Sequence, residues 1–305
     1  MKKVLLVLMS LSLLILGACS LEPPEWAKPS KKGNKDEIKI GLSVSTLNNP
    51  FFVSLKDGVV EEAKKQGMDV VVVDAQNDSA KQVNDVEDLL QQGVDALLIN
   101  PTDSAAISTA VQSANSIGVP VVTLDRSAEK GDVATLVASD NVKGGQMAAD
   151  YIVEMVGEGA KVAELEGVPG ASATRERGKG FHNVADEKLE VVAKQTADFD
   201  RTKGLNVMEN LLQGNPDIQA VFAHNDEMAL GAIQAISSSG REILVVGFDG
   251  NEDAVKAVNE GKLGATVAQQ PELIGEMAVQ AAADVLQGKK VEKNIAAPLK
   301  LMVKE

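Results

Sequence analysis

Residues 38–73 read IKIGLSVSTLNNPFFVSLKDGVVEEAKKQGMDVVVV. Ile38 to Val44 is a short run rich in β-branched and aliphatic residues, which reads as a strand. Phe51 to Gln66 places apolar residues at helical spacing, and Gly67 stands where a helix C-terminus favours a left-handed residue. Val70 to Val73 is a second β-branched run. Strand, amphipathic helix and strand in direct succession make a βαβ unit, because parallel neighbours need a crossover and a helix is the usual one.

The same alternation continues in both directions from this unit. Strands are expected at Ala96 to Ile99, Val121 to Leu124 and Thr135 to Ala138, with helices at Ser79 to Gln92 and Ser104 to Ser116 and glycines at Gly93 and Gly118 just beyond them. It then begins again, with a helix at Val142 to Val156 and strands at Val162 to Leu165, Val191 to Gln195, Ala220 to Ala223 and Leu244 to Val246. Strands Ala265 to Ala268 and Leu299 to Val303 bracket a last helix, Pro271 to Leu286, and such late elements can return the chain across a domain boundary. The fold class is therefore α/β with parallel sheets in two similar halves, and no short-period solenoid repeat is present.

Ahead of this folded part, Met1, Lys2 and Lys3 precede the apolar run Val4 to Leu16, which is too short to anchor a folded protein across a bilayer and reads as a secretory signal over residues 1–18. Leu16-Gly17-Ala18-Cys19 resembles a bacterial lipobox, so Cys19 is expected to carry lipid and to begin a tether over residues 19–36, where Pro23, Pro24, Pro29 and Gly33 lie among lysines. Cys19 is the one cysteine of the chain, which leaves no internal disulfide. The expected localisation is extracytoplasmic, on the cell membrane, with membrane contact through the lipid anchor alone. A formal net charge of -14 argues against nucleic acid, whose binding needs a basic footprint.

Chemistry-bearing motifs are scarce. No phosphate-cradling loop and no full dinucleotide fingerprint occurs, so no nucleotide cofactor is expected. His182 and His224 are the two histidines, and neither has a second histidine at ligand spacing, which argues against a zinc site or a hydrolase triad. Asp249, Asn251, Asp253 and Glu260 fall at calcium-loop positions, but Ala254 occupies the place of the turn glycine, so no metal is expected. Asp226 and Glu227 read as first-turn residues of the following helix, near its positive end.

Open parallel sheets bind ligands beyond the carboxyl ends of their strands. In the first half those places hold Asn48-Asn49-Pro50-Phe51-Phe52, Asn100-Pro101-Thr102-Asp103 and Asp125-Arg126. In the second they hold Arg175 and Arg177, Asp198-Phe199-Asp200, His224-Asn225-Asp226, Phe248-Asp249 and Gln269-Gln270. Four of the six phenylalanines, Phe51, Phe52, Phe199 and Phe248, lie on these lips beside Asn or Asp, in a chain that is 3% aromatic. Phenyl rings suit the C–H faces of a sugar. Its hydroxyls both donate and accept, so carboxylates (Asp125, Asp249), guanidinium groups (Arg126, Arg177) and amides (Asn49, Asn100, Asn225, Gln269) suit its edge.

The runs Ser45 to Phe52, Leu98 to Asp103, Thr123 to Arg126, Ala197 to Asp200, Asn225 to Ala229 and Val246 to Gly250 closely resemble those of the bacterial ribose-binding proteins, and the resemblance extends from about Ile38 to the C-terminus. It implies a type I periplasmic-binding-protein fold: two Rossmann-like lobes, residues 37–139 plus 270–298 and residues 140–269 plus 299–305, joined by a three-crossing hinge. It implies ligand contacts from Asn49, Phe51, Phe52, Asn100, Asp125 and Arg126 in the first lobe and from Arg177, Phe199, Asn225, Phe248 and Asp249 in the second, with Gln269 at a crossing and Phe51, Phe52 and Phe199 over the ring faces. His224 stands where glutamine is expected, which bears on a neighbouring contact only. The implied activity is capture of D-ribose by a monomeric lipoprotein and delivery to a membrane permease and its ATPase, without catalysis. Another pentose, a hexose such as allose, or a furanose-like signalling molecule remains open as the ligand, as does service to a chemoreceptor or sensor. On this reading alanine at Arg177 or Asp125 abolishes binding and leaves the melting temperature of sugar-free protein nearly unchanged.

Overall fold

The computed structural model describes residues 38–304; the signal, lipobox and tether expectations, Cys19 included, lie outside the described residues. The first half runs β1 (Lys39–Val44), α1 (Pro50–Lys65), β2 (Asp69–Asp74), α2 (Ser79–Gln91), β3 (Ala96–Ile99), α3 (Ser108–Ser116), β4 (Val121–Leu124) and β5 (Thr135–Ser139). The second runs α4 (Asn141–Val156), β6 (Lys161–Glu166), α5 (Ser172–Lys188), β7 (Glu190–Thr196), α6 (Arg201–Gly214), β8 (Ala220–Ala223), α7 (Asp226–Ser239), β9 (Leu244–Asp249), α8 (Glu252–Asn259) and β10 (Ala265–Ala268). The chain closes with α9 (Pro271–Leu286), β11 (Asn294–Ala297) and β12 (Lys300–Val303).

Two six-stranded sheets result, in the orders β11-β5-β4-β3-β1-β2 and β12-β10-β9-β8-β6-β7. Every pairing is parallel except that of β10 with β12. The chain passes from one sheet to the other after β5, after β10, and between β11 and β12. The central strands β3, β4 and β8 are wholly buried and apolar but for Thr123 of β4, as a parallel sheet covered on both faces requires. Helix α9 belongs to the first sheet's core, where Ile274, Ala278, Val279 and Ala282 pack with Ile40, Leu42 and Leu55.

Side-chain caps start the helices that follow the lips. Asn49 accepts from Phe51 N ahead of Pro50, and Asp140, Asp200 and Asn225 accept from the third residue beyond them. Such caps satisfy amides that have no partner inside the helix.

Three details differ from the sequence reading. Helix α3 begins at Ser108 and not at Ser104, because Asp103 Oδ1 accepts from Ala105 N and Ala106 N, both at 2.8 Å, and ties residues 103–106 into a turn. Arg175 and Arg177 do not sit on a loop; they belong to α5, whose many charged residues and two glycines weaken its apolar stripe. Leu299 lies between two strands rather than in one, and β11, an edge strand of small residues with one buried side chain, carries little pattern to read.

Candidate functional site

The strand ends of both sheets face one another across a buried cavity. Its walls are Asn49, Phe51, Phe52, Asp125 and Arg126 from the first half, and Ala173, Arg177, Phe199, Asn225 and Asp249 from the second. Phe51 and Phe52 occupy the first turn of α1, with ring centroids 5.2 Å apart in an edge-to-face pair. The Arg126 guanidinium lies over Phe52, 5.0 Å from its centroid, and over Phe199 of the other half at 5.2 Å. Phe199 reaches this position from a left-handed backbone, with φ of 60° after Asp198 at 53°. Its ring lies against Gly167, where a Cβ would stand 2.0 Å from Cζ, so only glycine leaves it that seat.

The charged groups are almost fully buried, and their partners are specific. Arg177 Nη1 donates to His224 O at 2.6 Å and Nε donates to Asn141 Oδ1 at 2.8 Å. The same guanidinium lies 3.8 Å from the Phe248 ring centroid and 3.6 Å from Asp249 Oδ1. Arg126 Nη1 donates to Pro101 O at 3.1 Å, with Nε 3.4 Å from Asp125 Oδ2. Burial pushes the Asp125 carboxyl up, while Arg126 and Arg177 pull it down. Burial likewise raises Asp249 well above the ordinary range against the pull of Arg177, and lowers Arg126 to about 10. Removing charge from water is what shifts all three, and it strengthens any hydrogen bond they make.

Nine of the twelve residues singled out from the sequence therefore line this cavity. The other three stand behind it. Asn100 Oδ1 accepts from Ser45 N at 3.1 Å and from Ser45 Oγ at 2.7 Å, and its Nδ2 donates to Leu124 O at 3.1 Å, 3.5 Å from Asp125 Oδ2. Gln269 Nε2 donates to Asp249 Oδ1 at 2.9 Å. Phe248, a residue of β9 and not of a loop, is wholly buried beneath Arg177. Asp125 Oδ1, Arg126 Nε and Gln269 Oε1 are buried and have no hydrogen-bond partner among the described residues. Buried polar groups are nearly always paired, so an unpaired acceptor and donor in one wall point to a polar guest.

Ala173 and Asn141 went unread in the sequence. Ala173 has no side-chain chemistry to signal it, and Asn141 lies in the first turn of α4, where its use by Arg177 is visible only in three dimensions. Asp226 is a first-turn residue of α7, as expected, but it is buried and accepts from Gly250 N, Asn251 N and Thr266 Oγ1; burial raises it to about 7. Both histidines meet Glu164 of β6. His224 Nε2 is 2.8 Å from Oε1 and His182 Nε2 is 2.9 Å from Oε2, with His182 Nδ1 2.6 Å from Asp186.

A larger open groove of about 1370 Å³ lies at Met155, Ile233, Ile236 and Leu244, and none of the sequence-derived candidates lines it. Among the described residues no cluster of His, Cys, Asp or Glu is placed to hold a metal ion, and no helix is long and apolar enough to cross a membrane.

Two largely parallel sheets, three passages between them and a buried polar cavity at their facing ends define a two-lobed solute-binding protein. The chain belongs to the periplasmic binding protein domain family, which it matches over residues 40–290. Among its relatives, the ribose import binding protein RbsB of Bacillus subtilis (strain 168) is 75% identical over 99% of this chain and 99% of its own. The ribose import binding protein RbsB of Escherichia coli (strain K12) is 58% identical over 87% of this chain and 90% of its own. A solved structure of an ABC transporter periplasmic solute binding protein from Actinobacillus succinogenes 130z, with bound D-allose, superposes with a TM-score of 0.83 at 31% identity, covering 88% of this chain and 98% of that one. The family and its relatives are binding proteins of transporters, so this chain is an extracytoplasmic solute-binding protein and not an enzyme.

Proposed function

We propose that this protein captures D-ribose by closing two lobes on one sugar ring and delivers it to a membrane permease driven by an ATPase. The lobes are residues 37–139 with 270–298 and residues 140–269 with 299–305. The observation that carries the reading is the meeting of five residues from each half around one buried polar cavity. Phe51, Phe52 and Phe199 cover the ring faces. Asp125 and Asp249 accept hydroxyl protons, Arg126 and Arg177 donate to hydroxyl oxygens, and Asn49 and Asn225 do either. Asn100, Phe248 and Gln269 act from behind by orienting Asp125, Arg177 and Asp249. Micromolar capture needs about 8 kcal/mol. Hydrogen bonds to charged groups contribute about 1.5–3 kcal/mol each, so a few of them suffice.

A sugar touched by both lobes stabilises the closed form, since only contacts better made in that form shift the equilibrium. Ribose, and not another pentose or hexose, is favoured by the high identity to the Bacillus subtilis relative named for ribose import. Lipid on Cys19 and the tether over residues 19–36 hold a monomeric receptor to the outer face of the cell membrane. Cys19→Ser is expected to move the protein from the membrane to the soluble fraction, as fractionation of expressing cells would read.

Calorimetric titration with ribose, followed by competition with allose and arabinose, tests the proposal. One ribose per chain at micromolar affinity or tighter is expected, with the competitors at least about tenfold weaker, because a site built for particular hydroxyls rejects analogues that leave its polar groups unpaired. No heat at millimolar ribose defeats it.

A further inference from the structure

We infer that Asp226, which lines no part of the sugar cavity, is a positioning residue for it: the Asp226 carboxylate holds the turn that presents Asp249 to the ligand. The inference rests on the sugar-capture reading above and adds to it the group that places one of its acceptors. Asp226 follows Asn225 in the first turn of α7 and is wholly buried. Its Oδ2 accepts from Gly250 N and from Asn251 N, both at 2.8 Å, and its Oδ1 accepts from Thr266 Oγ1 of β10 at 2.7 Å. Three donors, from the turn after β9 and from β10, thus converge on a side chain that as a carboxylate offers acceptors alone.

The turn needs such a hold. Asp249 has φ of 128°, a backbone angle that L residues rarely adopt, and Gly250 follows at 79°. A conformation of this kind costs free energy and persists only where its surroundings over-determine it. Asp226 fixes the two amides that follow Asp249, and Gln269 N fixes its carbonyl by donating to Asp249 O at 2.8 Å. Gly250 is pressed against β10, where a Cβ would stand 2.5 Å from Ala268 Cβ. Gly247 of β9 gives the carboxylate its seat, since a Cβ there would overlap Asp226 Oδ1. Asn225 already caps α7 and Glu227 already places a carboxylate at its positive end, so the buried seat of Asp226 serves the neighbouring turn.

Ribose affinity scales with the fraction of molecules whose Asp249 is in place. Releasing a strained residue from its hold shifts a conformational equilibrium by about 5- to 150-fold, so Asp226→Ala is expected to weaken ribose binding about 10- to 100-fold. Asp226→Asn removes the charge but keeps an oxygen for the two amides and can donate to Thr266 Oγ1, so it should stay within about fivefold of the wild type. Gly247→Ala leaves the carboxylate but takes its seat, and should weaken binding as Asp226→Ala does. Gly247 is not in the left-handed region, so alanine there strains no backbone. The loss should run through Asp249. Charge-assisted hydrogen bonds are about twice as strong as neutral ones, so in an Asp249→Asn background Asp226→Ala should cost only about 3- to 10-fold.

The experiment is calorimetric ribose titration of the wild type, Asp226→Ala, Asp226→Asn, Gly247→Ala, Asp249→Asn and the double variant Asp226→Ala with Asp249→Asn, each at a temperature where its sugar-free form is folded, with melting temperatures alongside. Positioning predicts weaker binding by folded Asp226→Ala and Gly247→Ala, rescue by asparagine, and the smaller cost in the Asp249→Asn background. A residue serving the fold alone would lower melting and leave the affinity of folded protein within about twofold of the wild type. That result, asparagine as weak as alanine, or equal costs in the two backgrounds overturns the inference. Should Asp226→Ala not fold, Gly247→Ala decides by the same criterion of affinity. Wild-type protein that gives no heat with ribose overturns the inference together with the sugar reading beneath it.

Discussion

Replacing Arg177 with alanine separates what this side chain does for the sugar from what it does for the fold. Its guanidinium donates to His224 O and Asn141 Oδ1, faces Asp249 and lies on Phe248, and all four partners belong to the second lobe. Opening of the cleft does not separate partners that lie in one lobe. The sequence expectation that sugar-free Arg177→Ala melts like the wild type is therefore revised. Breaking a buried charge pair by removing one partner costs about 3–5 kcal/mol, because the other charge stays buried without compensation. Water reaching Asp249 in an open cleft favours the lower end of that range. At about 2–4 °C per kcal/mol for a large domain, about 3 kcal/mol corresponds to a fall of about 6–12 °C in the sugar-free melting temperature. Differential scanning calorimetry without sugar, at neutral pH, reads it directly. Melting within about 2 °C of the wild type would refute the structural role and show that the bonds to His224 and Asn141 form only around a ligand.

Asp125 should behave differently. Its Oδ1 has no partner among the described residues and its Oδ2 makes only long contacts to Asn100 and Arg126. Asp125→Ala should thus lower ribose affinity by about 2–5 kcal/mol, the loss expected on truncating one member of a buried charged pair, and should lower sugar-free melting less than Arg177→Ala does, since the 3.4 Å approach to Arg126 and the 3.5 Å approach to Asn100 are all it gives up; calorimetry and thermal scanning on one sample check both. His182 gives a pH dependence. Partial burial alone would lower its pKa, but hydrogen bonds and charges from Asp186 and Glu164 outweigh this and raise it. A raised histidine contributes stability that is fully present below its unfolded value of about 6.5 and is lost as pH rises through the folded value. Burial alone would raise Glu164, but His224 and His182 together outweigh it and hold the carboxyl low, so Glu164 contributes stability above its ordinary value that is lost in acid. The wild type should therefore lose stability relative to His182→Gln as pH is raised from about 6 to 9, in thermal scans of the two proteins; parallel curves would show that the ion pairs are not formed in solution.

The alternation of strand and helix was legible because parallel strands covered on both faces are nearly continuously apolar, as β3 and β8 are throughout and β4 is but for Thr123. The lips were legible because Asn49 and Asn225 both cap helices and border the cavity, so one residue type served two readings. Helix α5 was not, since its buried face is made partly of Gly178, Gly180 and Arg177, which carry no apolar period. Phe248 could be read as aromatic and near the site, but its burial beneath Arg177 depends on how α4 and α5 pack against β9. The double service of Arg177 was hidden for the same reason: His224 and Asn141, its acceptors, are far apart in sequence and meet only in the fold.

Small-angle X-ray scattering of one preparation, without sugar and at saturating ribose, tests the closure of two lobes on one ligand most directly. A smaller radius of gyration with ribose, and a saturated curve that fits the closed arrangement described above, is the predicted result. Identical curves at a ribose concentration where calorimetry reports full occupancy would contradict it.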